Sequence, residues 1–369
     1  MKPRVLFLTV MPSPYQQELF QALHASGRMT IRVLYCTRSA PDRAWAYPSL
    51  SLYEEVLPGT TIGWLGPSAH FNPGIAEILR NDDSDLVVLG DYSAPTTQIA
   101  MRVLSRLGKR WIFWGEIPGL SRGGYLANLL RWQLQRPIAH GATAIAAIGS
   151  QAVSAYQGLF PQIRILNVPY FCDLRRFGAA AKERGPCGKG RVNVLFSGQL
   201  IERKGVDLLI RAFAQISDRV PEMHLQLLGT GPAQDFLSGI IPFSLRDRIH
   251  FLGFHQPPAM PEIFAAADVF VLPSRHDGWG VVVNEALGAG LPIIVSDRVG
   301  ARDLVEDGSN GFIICAGEID GLAAALLKLG RSSELRRAFG CSSAERAANW
   351  GLDEGVRRWV ELSAQALER

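Results

Sequence analysis

The sequence predicts an α/β protein built from two doubly wound parallel sheets, on three observations. Short apolar runs rich in Val, Ile and Phe alternate with helical patterns along most of the chain, as βαβ units do when helices cover both faces of a sheet. Several of these runs lead through a glycine-bearing turn into a helix, the arrangement that places ligands at the carboxyl ends of strands. A chain of 369 residues is also too long for one ordinary core, so two domains are expected.

The first series opens with a strand over 5–10 and a helix over 15–25 whose Leu19, Phe20 and Leu23 share one face. Strands are predicted over 30–36, 85–90, 110–114, 143–148 and 163–168, with helices over roughly 74–81, 95–107, 123–138 and 150–158. Residues 37–64, with Trp45, Tyr47, Tyr53 and several prolines, predict a loop with one extended segment. The loop Met11-Pro-Ser-Pro-Tyr-Gln16 carries prolines, which lack the N–H that would hold a phosphate. It therefore offers the side chains of Tyr15 and Gln16 instead. Trp111-Ile-Phe-Trp-Gly-Glu116 ends another strand, with Glu116 as a candidate general base. Residues 122–136 mix Arg with Tyr, Leu and Trp at helical spacing. That pattern fits a helix covering the sheet, the reading we favour, and also one lying on a bilayer surface.

Gly178 to Gly190 is small and charged without apolar period, which predicts a linker. The domains are accordingly 1–178, 179–350 and a closing helix in 351–369. The second series begins with a strand over 192–198. Its loop, Gln199-Leu-Ile-Glu-Arg203-Lys204-Gly205, leads into a helix whose Val206, Leu209, Ile210, Phe213 and Ile216 share a face. Further strands end at Gly229 and at Leu252-Gly253. The apolar run Asp268–Leu272 precedes a loop holding Asp277, Gly278, Trp279 and Gly280. A helix then starts at Val281 and carries Glu285, two turns from Asp277 on the same face. A cation ahead of one helix and two acids around another suit an extended ligand with phosphates and hydroxyls.

Composition narrows the function classes. With 47% hydrophobic and 20% charged residues the chain is globular, and it lacks an apolar run of the ~18 residues a membrane span requires. The N-terminal apolar run reads as a strand rather than a signal peptide, so a cytoplasmic protein is expected. Five scattered cysteines predict reduced thiols without metal spacing. Asp83-Ser-Asp85 precedes its strand, the wrong end for a site, so no metal is expected. Residues 1–178 hold 17 Lys+Arg against 11 Asp+Glu, and the remainder 21 against 23. A basic first half favours an anionic surface or acceptor. Its charges are dispersed without any nucleic-acid-binding signature, so nucleic acid is excluded.

Asp277, seven intervening residues, Glu285 and then Ala286-Leu-Gly-Ala-Gly-Leu-Pro292 resemble the nucleotide-sugar signature of the retaining GT-B-fold glycosyltransferases, family 4, also called glycosyl transferases group 1. The resemblance is strong over roughly 165–330 and weak in the N-terminal half. It implies two Rossmann-like domains facing across a cleft, with a UDP- or GDP-sugar on the C-terminal one and a glycan or lipid-linked acceptor on the other. In that family the first acid touches the donor sugar and the second binds the ribose, which here are Asp277 and Glu285. An arginine just after the strand and a lysine just before the glycine hold the donor diphosphate. Lys204 matches the lysine; neutral Gln199 stands at the arginine's place, so that either Arg203 takes that role or the leaving group is held less firmly. Gly198, Gly229, Leu252, Gly278, Trp279 and Gly280 complete the implied donor site, and Tyr15, Gln16 and Glu116 the acceptor side. Two departures stand out: Asp277 is one methylene shorter than the usual glutamate, and the histidine common near Glu116 is missing.

Lys204, Asp277 and Glu116 are the implied catalytic residues, without cofactor or metal, for a same-face reaction in which the departing phosphate takes the acceptor proton. A role in polysaccharide or glycolipid biosynthesis, with peripheral contact to the inner membrane face through the N-terminal domain, is implied as well. The last helix is expected to cross back to the first domain, with Trp350 and Trp359 buried there. Two alternatives stay open: a nucleotide-sugar epimerase of the same fold using Glu116 and Asp277, and a non-catalytic subunit that binds nucleotide sugars.

Overall fold

Alternation of apolar runs and helical patterns resolves into two separate parallel sheets. A computed structural model describes residues 2–39, 45, 49–63, 69–118, 125–184 and 190–368. They divide into one unit of Met1–Tyr170 with Leu352–Arg369 and a second of Phe171–Gly351.

The first unit runs β1 (Arg4–Thr9), α1 (Pro14–Ala25), β2 (Thr30–Tyr35), β3 (Glu54–Val56), the antiparallel pair β4 (Thr60–Thr61) and β5 (His70–Phe71), α2 (Ile75–Asn81) and β6 (Leu86–Leu89). It continues through α3 (Pro95–Leu107), β7 (Trp111–Gly115), α4 (Tyr125–Gly141), β8 (Ala144–Ala147), α5 (Ser150–Leu159) and β9 (Arg164–Asn167). The sheet order is β3-β2-β1-β6-β7-β8-β9 with every neighbouring pair parallel. All four residues of β6 are buried because helices cover both faces. The helix α3 shows why its ends fall where they do: Pro95 sits in its first turn, and Gly108, at φ +64, stops it in a left-handed cap.

These elements fall within a few residues of the predicted ones. Among the described residues of 37–64, β3 pairs along β2 and β4 pairs with β5, where a single extended segment was expected. Of the helix expected to begin at 123, residues 123–124 lie outside the described residues.

The second unit runs α6 (Arg175–Arg184), β10 (Val192–Ser197), α7 (Val206–Ile216), β11 (Met223–Leu228), α8 (Gln234–Gly239), β12 (Ile249–Gly253), α9 (Met260–Ala265), β13 (Val269–Leu272), α10 (Val282–Gly288), β14 (Ile293–Ser296), β15 (Gly311–Ile314), α11 (Ile319–Arg331) and α12 (Ser333–Ala347). Its sheet, β12-β11-β10-β13-β14-β15, is wholly parallel. Numbered within the unit this is 3-2-1-4-5-6, the Rossmann order. The order in which strands are added reverses between β10 and β13, and in doubly wound sheets the strand ends at such a point leave a crevice.

Three expectations are corrected. Residues 178–184 are not linker but part of α6, held by Phe177, which meets Phe264 of α9 edge-on at 5.5 Å. The units accordingly divide at Tyr170/Phe171, ahead of the boundary expected at 178. Trp350 does not join the first unit; it stacks on Phe171 within the second, ring centroids 6.3 Å apart. Trp359, on α13 (Leu352–Leu367), does belong to the first unit. It is fully buried, with Phe7 and Trp114 each 5.1 Å away and edge-on, and Arg358 donates to the Asn167 carbonyl at 3.0 Å.

Candidate active site

In the second unit the chemistry gathers where β10 and β13 part. The turn after β10 ends in Gly205 at φ +69, and a Cβ there would lie 2.3 Å from the Pro273 carbonyl oxygen. Only glycine lets residues 202–204 press against the loop that follows β13. Several contacts then fasten the two loops together. The Arg275 amide donates to the Arg203 carbonyl at 2.8 Å, and the Arg275 guanidinium forks onto Asp207 at 2.8 and 2.7 Å. Burial works against the Asp207 carboxylate, yet the paired bonds from Arg275 keep its carboxyl below the usual range.

That clamp sets Lys204 and Asp277 against each other. The Lys204 ammonium lies 2.5 Å from one Asp277 oxygen, and an Arg203 nitrogen lies 3.3 Å from the other. The Lys204 and Asp277 side chains are only 12% and 10% exposed. Two cations thus face one carboxylate, a local surplus of positive charge at the strand ends. The Asp277 backbone is fixed as well, its N–H donating to the Arg298 carbonyl at 2.9 Å and its carbonyl accepting from Gly300 at 3.1 Å.

The remaining donor-side residues lie on the same rim. Gly198 follows β10 and Gly229 follows β11, so close that a Cβ on Gly229 would sit 2.0 Å from the Gly198 oxygen. Gln199 follows Gly198 in the turn, and Leu252 is half-buried near the end of β12. Gly278 packs beneath Gly300, whose Cβ would lie 2.3 Å from the Gly278 oxygen, and Gly280 turns the chain at φ +96. Trp279 is 1% exposed and donates to Asn284 at 2.8 Å, and its carbonyl accepts from the Ala301 amide at 2.8 Å, so it braces the loop. Glu285 lies in the first turn of the seven-residue α10. Asp277 lies in the loop ahead of α10, as expected, where it is bridged to Val299.

In the first unit Tyr15 and Gln16 begin α1, and Glu116 follows β7. Gln16 accepts from the Ser13 hydroxyl at 2.8 Å. Tyr15 packs on Tyr170 at 4.8 Å, and Tyr170 in turn meets Trp114 edge-on at 5.3 Å. Glu116 is exposed, its carbonyl accepts from the Tyr156 hydroxyl at 2.7 Å, and its carboxylate accepts from the Tyr170 hydroxyl. A Cβ on Gly115 would fall 2.4 Å from the Phe113 ring and 2.9 Å from the Tyr156 oxygen. Aromatic groups therefore fill the ground beside Glu116 where a histidine is missing.

Sequence reasoning missed Tyr170, Tyr156 and the Asp207–Arg275 pair. Tyr170 could have been found, since an aromatic just past the carboxyl end of a parallel strand occupies a ligand position. The pair spans 68 residues, beyond any local pattern. Among the described residues no group of three His, Cys, Asp or Glu gathers as a metal site. Asp83 and Asp85 are exposed and pair with Arg4.

The family model for glycosyl transferases group 1 matches residues 181–346. Among characterised relatives, a GDP-mannose-dependent alpha-(1-6)-phosphatidylinositol monomannoside mannosyltransferase of Mycolicibacterium smegmatis is 29% identical over 264 residues, 68% of this chain and 67% of the relative. The protein of that name from Mycobacterium tuberculosis is 27% identical over 344 residues, 89% and 83% of the two chains. Among solved structures, Anabaena HepE in complex with UDP superposes with a TM-score of 0.76 at 18% identity, covering 98% of this chain and 99% of the other. The fold is GT-B, two Rossmann-like units, as the sequence resemblance implied.

Proposed function

We propose, from the premise that the chain belongs to the glycosyl transferases group 1, that it moves a sugar from a nucleoside-diphosphate sugar to an acceptor hydroxyl with retained anomeric configuration. The observation that carries this reading is the pairing of Lys204 and Arg203 with Asp277 at the strand ends of the second unit. A dianionic diphosphate entering there meets two cations already oriented. Negative charge that builds on the leaving group is stabilised there once Lys204 exchanges Asp277 for the diphosphate. Lys204 and Arg203 hold the diphosphate, Asp277 the sugar end and Glu285 the ribose. The backbone at Gly198, Gln199, Gly229, Leu252 and Gly278–Gly280 completes the donor side.

In the first unit Glu116 accepts a hydrogen bond from the acceptor hydroxyl, with Tyr15 and Gln16 beside it. The departing phosphate takes the proton, so neither metal nor cofactor is required. The two mycobacterial relatives use GDP-mannose on a phosphatidylinositol mannoside, and HepE was solved with UDP; GDP-mannose and UDP-glucose are therefore the donors to try. A lipid-linked acceptor suits α4, which buries Gln135 and Ile138 while exposing Leu129, Leu130 and Trp132, the last under the Arg136 guanidinium at 5.2 Å. Apolar side chains beside arginines match an anionic inner membrane face. No helix among the described residues is long and apolar enough to cross a membrane.

The test is turnover of a panel of UDP- and GDP-sugars with polyprenyl-phosphate and phosphatidylinositol acceptors, reading the anomeric proton of the product by NMR. Retention, with loss of activity in Lys204→Ala and Glu285→Ala, is expected. An inverted product, an isomerised sugar from donor alone, or binding without turnover on every acceptor would each overturn it.

A further inference from the structure

We propose that Tyr170 is a positioning residue that holds the Glu116 carboxylate in place for the acceptor, an inference that rests on the acceptor-side role given to Glu116 above. Glu116 is otherwise an exposed side chain just past β7. A glutamate there samples several rotamers in water, and fixing one costs on the order of 1–2 kcal/mol of entropy. The structure removes that freedom from two sides. Tyr156 fixes the backbone by donating to the Glu116 carbonyl at 2.7 Å, and Tyr170 fixes the carboxylate by donating its hydroxyl proton.

Tyr170 is itself immobilised. Its ring is wedged between Tyr15 at 4.8 Å and Trp114 at 5.3 Å, and its hydroxyl also bonds to that of Tyr15. Trp114 is anchored in turn, its indole N–H donating to the Val168 carbonyl at 3.1 Å and its ring meeting Trp359 at 5.1 Å. Burial and the neighbouring Glu116 charge push the Tyr170 phenol well above its ordinary range, so the hydroxyl remains a donor across the working pH. Three aromatic residues from the ends of α1, β7 and β9 thus aim one carboxylate. The chemistry recognised is an alcohol, whose O–H needs a fixed acceptor oxygen to direct its lone pair at the sugar carbon.

The experiment is a double-mutant cycle on the full chain with Tyr170→Phe and Glu116→Gln. Phenylalanine keeps the ring contacts, so the variant should fold. Turnover of GDP-mannose or UDP-glucose is read with water as acceptor, donor KM is read separately, and thermal unfolding is followed in all four proteins. Loss of one hydrogen bond to a charged group corresponds to a fall of about tenfold or more in kcat, with donor KM unchanged. In the Glu116→Gln background, where the amide oxygen still accepts but carries no charge, the same substitution should lower kcat by clearly less than in the wild type, and the melting temperatures should be equally non-additive. Full activity in Tyr170→Phe, or independent multiplication of the two effects, would overturn the inference. Wild-type turnover in Glu116→Gln would instead remove the role of Glu116 itself. UDP and GDP binding by calorimetry, which reads the second unit, would show separately whether the transferase reading survives.

Discussion

Replacing Asp277 with Asn removes the carboxylate that pairs with Lys204 and Arg203. The ammonium lies 2.5 Å from it, and the two side chains are 12% and 10% exposed. At an effective dielectric of about 20, unit charges ~4 Å apart attract by roughly 4 kcal/mol. Part of this is offset by the desolvation that pairing required, and Arg203, at 34% exposed, is partly screened. A net loss of about 2–3 kcal/mol for the unliganded protein follows. For a unit the size of residues 171–351 this corresponds to a fall in melting temperature of about 4–12 °C. A nucleoside diphosphate restores the missing negative charge. Differential scanning fluorimetry should therefore show UDP or GDP raising the melting temperature of Asp277→Asn by more than it raises that of the wild type. If the nucleotide-induced rise is equal or smaller, or if the unliganded variant melts like the wild type, Lys204 does not face the diphosphate.

Other outcomes follow from particular contacts. Trp359→Ala should cost about 3–5 kcal/mol in urea unfolding, because a fully buried ring set edge-on against Phe7 and Trp114 leaves a cavity. Gly205→Ala should abolish UDP and GDP binding in calorimetry, since its Cβ would stand 2.3 Å from the Pro273 oxygen in a left-handed backbone and displace Lys204. Leu130→Ser with Trp132→Ser should leave turnover of a soluble acceptor intact and reduce co-sedimentation with vesicles containing phosphatidylglycerol; undiminished binding would remove α4 from the membrane contact. The Arg357 guanidinium, against opposing burial and with help from Arg358, brings the Glu354 carboxyl down to about 2 from 4.5. Its folded value is depressed, so its stabilisation is present above pH 4.5 and is lost as pH falls toward 2. Glu354→Gln should therefore be less stable than wild type at pH 7 by about 1 kcal/mol or less, and the difference should vanish near pH 2.

Most of the architecture was legible because parallel strands buried on both faces must be short unbroken apolar runs, as in Leu86–Leu89 and Val269–Leu272. Glycine turns were equally plain: Gly205 and Gly229 stand where backbone approaches too closely for a Cβ, and Gly280 turns the chain at φ +96. The helix α6 was not visible, since Arg175–Arg184 has a polar composition and is held by packing of Phe177 rather than by an apolar stripe. Trp350 and Trp359 look alike in sequence, yet only tertiary packing decides that one meets Phe171 and the other Phe7. In the site, spacing located Lys204, Asp277 and Glu285 individually. It gave no sign that Asp277 would grip Lys204, because that pair joins two loops separated by a whole run of strands and helices. The position of Tyr170 just past β9 was legible, but its partners were not, because Tyr15 and Glu116 reach it from α1 and β7 only in the folded unit.

The most direct measurement is a crystal structure with a bound nucleotide sugar, or with the nucleoside diphosphate alone. The diphosphate oxygens should lie within about 3 Å of the Lys204 ammonium, with the ribose hydroxyls on the Glu285 carboxylate. A nucleotide bound in the first unit, or in the second with Lys204 still closed on Asp277 and Glu285 untouched, would contradict the account.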